Sequence, residues 1–200
     1  MNKILALWAV PRSRSTAIEH MMRTRSDHVC LHEPFGEAWY QGEDRRCPPQ
    51  HSRGPTPGLT FASVWKHLRA TASSGDPVFM KEFPHHVEHM WDEAFLSHFT
   101  HSFLIRDPVK TLPSIYDKWP DFELVETGFV EQRALFDRIA NQHGSPPPVI
   151  DAEDLVADPP GVVSAWCDAV GISFQASALS WDTPSEEAHS WYDDLSLIHI

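Results

Sequence analysis

The chain has 200 residues, enough for one domain with a substantial core. Its formal net charge of −12 argues against non-specific binding to nucleic acid or to an anionic membrane. Cys30, Cys47 and Cys167 are odd in number and widely spaced. They form neither a disulfide framework nor a zinc pattern, so a reducing cytoplasm is the expected compartment.

Ile4 to Ala9 is an apolar run of strand length, ended by Pro11. It continues into a charged turn with no small-residue cleavage site, so it reads as a strand and not as a signal peptide. No apolar run in the chain approaches the ~20 residues of a membrane span. Arg12-Ser13-Arg14-Ser15-Thr16 form a turn of guanidiniums and hydroxyls. Ala17, Ile18, Met21 and Met22 then recur at helical spacing, with Glu19, His20, Arg23 and Thr24 expected on the polar face. A helix N-terminus offers unpaired N–H groups and partial positive charge, so arginines and hydroxyls placed there make an anion pocket. The pocket is not a nucleoside-triphosphatase loop. Against G-x-x-x-x-G-K-[ST], Ala9 and Arg14 replace the glycines, Ser15 replaces the lysine, and only Thr16 fits.

A second short strand, Val29 to Leu31, delivers His32 and Glu33 into a loop before Pro34. Trp39 and Tyr40 follow in a loop-like stretch, as Trp119 does later; these aromatics pack in the core or line a pocket. Residues 41–58, rich in Pro, Gly, Arg and Ser, are expected to form a long mobile loop. Thr60 is positioned to cap a helix whose inner face carries Val64, Trp65 and Leu68. Val78 to Met80 is a third strand ending in Lys81, Glu82, His85 and His86. Residues 90–99 are expected to form an amphipathic helix. Ser102 to Ile105 is a fourth strand, ending on Arg106-Asp107-Pro108, and the helix after it holds Pro113 as an expected kink. Residues 131–142 form a helix, Val149-Ile150 a fifth strand, and Pro159 or Pro160 opens a helix closed by Gly171.

Strands alternating with helices predict an α/β domain with a mainly parallel central sheet flanked by helices. Ligands bind beyond the carboxyl ends of such strands. Four strands here end in polar clusters, and a parallel sheet brings all four to one edge. Arg106 with Ser114, about two helical turns further on, supplies a guanidinium fork and a hydroxyl suited to a second phosphate.

These two segments resemble the sulfotransferase family that uses 3′-phosphoadenosine 5′-phosphosulfate (PAPS). Pro11-Arg12-Ser13-Arg14-Ser15-Thr16 is similar to that family's P-[RK]-S-G-[ST]-T loop, which holds the 5′-phosphosulfate. Arg106-Asp107-Pro108, with Ser114 and Tyr116, is similar to its R-D-P-x(5)-S-x-Y segment, which holds the 3′-phosphate. Ile150 to Leu155 with Asp158-Pro159 also resembles a recurrent segment of these proteins. The likeness covers most of residues 3–175. It implies a three-layer P-loop-like fold, PAPS as donor, and a hydroxyl or amine of a small molecule as acceptor. It further implies that Arg12, Ser13, Arg14, Ser15, Thr16, Arg106 and Ser114 bind the donor. Arg14 departs from the pattern, standing where the family usually has glycine.

Sulfuryl transfer needs charge stabilisation on the leaving phosphate, a base for the acceptor, and in-line geometry. Arg12 and the N–H groups near Ser13 to Thr16 serve the first need, and no metal is required. For the base, Glu33 stands where several family members carry a catalytic glutamate. His85 or His86 is the rival, with an ordinary pKa nearer neutrality. Lys81 is placed to assist the transferring group. The chain has thirteen histidines, but none lies in an H-E-x-x-H arrangement. They are expected in solvent, without metal. Two alternatives are a small-molecule kinase or other phosphate-handling transferase, and a non-catalytic nucleotide-binding protein. No partner beyond a small-molecule acceptor is expected, and the sequence carries no signal for oligomeric state.

Residues 1–194 read as one domain. Residues 195–200, LSLIHI, match the translated start of a transposon adapter used in sequencing libraries, so they are expected to be non-native. The natural protein is expected to continue past Asp194. In related proteins the segment after Trp191-Tyr192 completes the cofactor site.

Overall fold

The computed structural model describes residues 3–180. The expectations for Trp191-Tyr192 and for residues 195–200 lie outside them. Five strands form one sheet: β1 (Ile4–Trp8), β2 (Val29–His32), β3 (Val78–Glu82), β4 (Phe99–Ile105) and β5 (Val149–Asp151). Their order is β2-β3-β1-β4-β5, and every pairing is parallel. Ten helices connect and cover them among the described residues: α1 (Ser15–Arg25), α2 (Gly36–Gln41), α3 (Phe61–Ser73), α4 (Pro84–Val87), α5 (Glu93–Leu96), α6 (Pro108–Lys118), α7 (Leu124–Thr127), α8 (Phe129–His143), α9 (Ala152–Ala157) and α10 (Pro159–Val170).

Side-chain alternation along β1 builds the three layers. Ile4, Ala6 and Trp8 face one way, packing with Phe61, Leu68 and Ala72 of α3 and with Leu135 and Ile139 of α8. Leu5, Leu7 and Ala9 face the other way, packing with Ile18, Met21 and Met22 of α1 and with Val163 and Trp166 of α10. All of β1 is buried, as a central parallel strand must be. Its neighbours β3 and β4 lie on opposite sides, so chain direction across the sheet reverses at β1. That reversal opens a crevice at the carboxyl ends of the strands. The buried Gln132 of α8 holds its rim, its amide donating to Trp8 O at 3.0 Å and Leu104 O at 2.9 Å.

Several elements differ from the sequence-based expectation. Residues 90–99 are not one helix: a 3-10 turn at Glu88–Met90 is followed by the four-residue α5, and β4 already begins at Phe99. Asp92 accepts from Phe95 N at 2.7 Å and restarts the chain there. Trp39 and Tyr40 lie on α2 and not in a loop, with Trp39 in the core. Residues 42–58 are tied down. Arg53 N donates to Tyr40 O at 3.1 Å and Thr56 N to Gln41 O at 2.7 Å, while His51 Nδ1 lies 2.7 Å from Glu126 on α7. His85, His86 and His101 are buried, not solvated. Each has a reason: His86 meets the buried Glu82 at 2.7 Å, His101 accepts from Trp8 Nε1 at 3.0 Å, and His85 fills the space left by Gly128.

Candidate active site

The loop from β1 to α1 folds back on Val10. Its carbonyl accepts from Ser13 Oγ at 2.7 Å and from Ser13 N at 3.3 Å. On either side of Ser13 the backbone turns left-handed, at φ 61° for Arg12 and 71° for Arg14. Left-handed residues between right-handed ones turn successive N–H groups inward, a geometry that cups an anion. Helix α1 then starts with no side chain capping it and no acidic residue in its first turn. Its first N–H groups are therefore left for a ligand. The conformation at Arg14 also accounts for glycine at that position in the resembling family, since only glycine adopts it without cost. Arg14 Nε is buried and has no hydrogen-bond partner among the described residues.

Arg106 follows β4 and turns back onto this loop. Its Nη1 donates to Arg12 O at 2.8 Å. Ser114, on α6, accepts from Arg12 Nε at 2.9 Å. Asp107 does not pair with Arg106; it caps α6 by accepting from Val109 N at 2.9 Å. The two phosphate-type segments thus touch each other directly, although 94 and 102 positions separate their contacting residues. Glu153 of α9 stands beside them, at 3.6 Å from Arg106 Nε and 2.6 Å from Lys110 Nζ. The hydrogen bond from Lys110, with Arg14 and Arg106 nearby, holds its carboxyl below the ordinary value.

Across the crevice, the ends of β2 and β3 carry an ionic cluster. Lys81, 1% exposed, is hydrogen-bonded to Glu33 and lies 3.7 Å from Glu19 Oε2. Glu33, at φ 41°, has a side chain 22% exposed at the crevice. Burial alone raises its carboxyl, but the charge of Lys81, then those of His32 and His86, holds it below the ordinary value. His85 is 1% exposed, and burial together with neighbouring His86 pushes its imidazole well below its ordinary value. It packs edge-on against Trp39.

Glu19 is the residue the sequence misplaced. It belongs to the buried face of α1, fully covered, and not to the polar face. Its Oε1 accepts from Arg23 at 2.8 Å, and its Oε2 lies 2.7 Å from His32 Nδ1. Burial raises this carboxyl, but the hydrogen bond with His32 and the nearby charge of Lys81 bring it down to about 2. The i,i+4 spacing of Glu19 and Arg23 imitates a surface ion pair, so nothing local marks it as interior. Among the described residues no group of three or more His, Cys, Asp or Glu is placed to hold a metal ion.

A family model described as a sulfotransferase domain matches residues 2–195. The chain belongs to the sulfotransferase domain family. Solved sulfotransferases share its fold. The mouse sulfotransferase SULT7A1, complexed with PAP, superposes at a TM-score of 0.58 with 11% identity, over 88% of this chain and 61% of that one. A sulfotransferase from Alicyclobacillus acidocaldarius gives 0.56 and 14%, over 96% and 92%. The sulfotransferase domain of the curacin biosynthetic pathway gives 0.55 and 16%, over 95% and 83%. At these identities the likeness is one of fold. Among curated proteins, the branched-chain-amino-acid aminotransferase-like proteins 2 and 1 of Arabidopsis thaliana are 28% and 27% identical. The alignments cover 96% and 94% of this chain, which spans about a third of either relative's length.

Proposed function

We propose that this sulfotransferase-family domain takes PAPS as donor and passes its sulfuryl group to a hydroxyl or amine of a small molecule. One observation carries the reading: Arg106 and Ser114 are hydrogen-bonded to Arg12, so two anion-binding segments form one continuous cradle. A single-phosphate ligand needs only one of them. The side-chain-uncapped α1 terminus and the unpartnered Arg14 Nε fit an anionic group on the β1 side.

In this reading Arg12, Arg14 and the N–H groups of Ser15 and Thr16 hold the phosphosulfate end, while buried Ser13, whose N–H and hydroxyl both donate to Val10 O, shapes the loop and does not reach the ligand; Arg106 and Ser114 hold the 3′-phosphate. The donor supplies an activated sulfuryl group, and the cradle stabilises charge on the phosphate it leaves. Lys81 orients Glu33, and Glu33 takes the acceptor proton. We assign that role to Glu33 over His85, because Glu33 reaches the crevice while His85 is shut beneath α7 and α8. No metal is called for, since guanidinium and ammonium groups provide the positive charge. The three cysteines stand free, which suits a reducing cytoplasm. Among the described residues no helix is long and apolar enough to cross a membrane.

The test is transfer of label from sulfur-35 PAPS to a panel of small alcohols, phenols and amines, with and without chelator. Labelled product formed equally in both conditions, and lost in Arg12→Ala, is the expected result. Phosphoryl transfer from Mg-ATP instead would replace this reading with the kinase. Tight PAP binding with no transfer to any acceptor, unaffected by Glu33→Gln, would favour the non-catalytic alternative.

A further inference from the structure

His32 has a defined orientation that the sulfuryl-transfer reading does not use. Its Nδ1 lies 2.7 Å from Glu19 Oε2, and its Nε2 lies 3.6 Å from Glu33 Oε1. Glu19 is fully buried and ionised, so it can only accept, and the hydrogen between them belongs to Nδ1. Neutral His32 is therefore an Nδ1–H tautomer with a bare Nε2 turned toward Glu33. A buried carboxylate behind one ring nitrogen and a free lone pair on the other is the arrangement of an oriented imidazole base.

Glu19 and Glu33 are both carboxylates, Lys81 lies between them, and Arg23 reaches Glu19 from its exposed side. His32 closes this ring, contacting both carboxylates while keeping a third of its side chain in solvent. Glu33, by contrast, is held by Lys81 in its ionised form and is a poor place for a proton to stay.

We propose that His32, oriented by Glu19, is a proton-relay residue that receives the acceptor's proton from Glu33 and releases it to solvent. This rests on the sulfuryl-transfer reading above. As the acceptor O–H bond breaks, the proton passes through Glu33 to His32 Nε2. The oxygen's electron pair forms the new O–S bond, and the S–O bond to the donor phosphate breaks, its pair leaving with that phosphate. Glu19 keeps its charge throughout and acts as a positioning residue.

The experiment combines nitrogen-15 NMR of labelled histidines with kinetics and PAP calorimetry on His32→Asn. Asparagine places an N–H where Nδ1 stands, so it keeps the bond to Glu19, but it cannot take a proton. The His32 signals, identified by their loss in the variant, should report the Nδ1–H tautomer at alkaline pH; an Nε2–H tautomer would overturn the relay. The variant should bind PAP like the unsubstituted protein and lose about tenfold or more in kcat, within the usual range for a proton-transfer group. Retention of kcat would overturn the relay while leaving the donor site intact. Failure of the unsubstituted protein to bind PAP would instead overturn the donor reading, and the relay with it.

Discussion

Glu33 and Arg14 both occupy left-handed backbone, at φ 41° and 71°, in residue types that gain nothing from it. Such conformations cost on the order of 1–3 kcal/mol each and persist where the surroundings impose them, often at functional sites. For Glu33 the expected consequence is catalytic. Glu33→Gln should lower kcat by about 10²–10⁴, the span of a general base, with PAP affinity little changed; steady-state kinetics beside calorimetry separates the two effects. For Arg14 it is a trade. Arg14→Gly should leave the melting temperature unchanged or raised, because glycine removes a left-handed cost of roughly 1–2 kcal/mol. The same change should weaken PAP by about tenfold or more, as expected for a charge-assisted hydrogen bond. A gain in PAP affinity would mean that Arg14 crowds the cradle and does not serve it. The placement of Arg12 and Arg106 at one edge was legible from motif alone, because it depends only on position after a strand. The buried position of Glu19 was not, because its interior partners, His32 and Lys81, come from two strands and not from its own helix.

Among the elements, the junction of α7 and α8 shows how the site is walled. Gly128 ends one helix and starts the next at φ 68°. A Cβ added there would stand 2.7 Å from His85 Nδ1, inside any allowed contact. Gly128→Ala should therefore destabilise the fold by about 1–3 kcal/mol, a sum of backbone strain and clash, readable in a urea titration. The strands and most long helices were legible from periodicity and caps. Thr60 does cap α3, accepting from Ser63 N at 3.0 Å, and Gly171 does close α10. Residues 90–99 misled because apolar residues spaced for a helix also serve a short turn feeding a buried strand. Residues 42–58 misled because Pro and Gly content reports the absence of regular structure, not the absence of contacts.

Over the whole molecule, the all-parallel sheet gathers four strand ends at one edge, and this much follows from strand–helix alternation. Which clusters then touch is set by strand order, with β1 between β3 and β4, and no local pattern encodes that order. The same gathering buries charge and makes stability pH-dependent. Glu19 has a folded pKa of about 2 against an ordinary 4.5. Its depressed value contributes stability that is fully present above 4.5 and is lost as pH falls through about 2, on the order of 3 kcal/mol by linkage. His85 adds to this, because its imidazole is held neutral in the fold, so protonation below the ordinary 6.5 favours unfolding. Denaturant titrations from neutral pH downward should show stability falling in both ranges, and Glu19→Gln should flatten the more acidic one.

The cradle formed by two joined anion segments is tested most directly by a calorimetric cycle without magnesium. PAP and AMP, which lacks the 3′-phosphate, are each titrated into the unsubstituted protein and into Arg106→Ala. If Arg106 holds the 3′-phosphate, PAP should bind far more tightly than AMP, and the substitution should weaken PAP while barely affecting AMP, so that the two losses do not add. Equal affinity for PAP and AMP, or an equal loss of both in Arg106→Ala, would contradict a two-phosphate site.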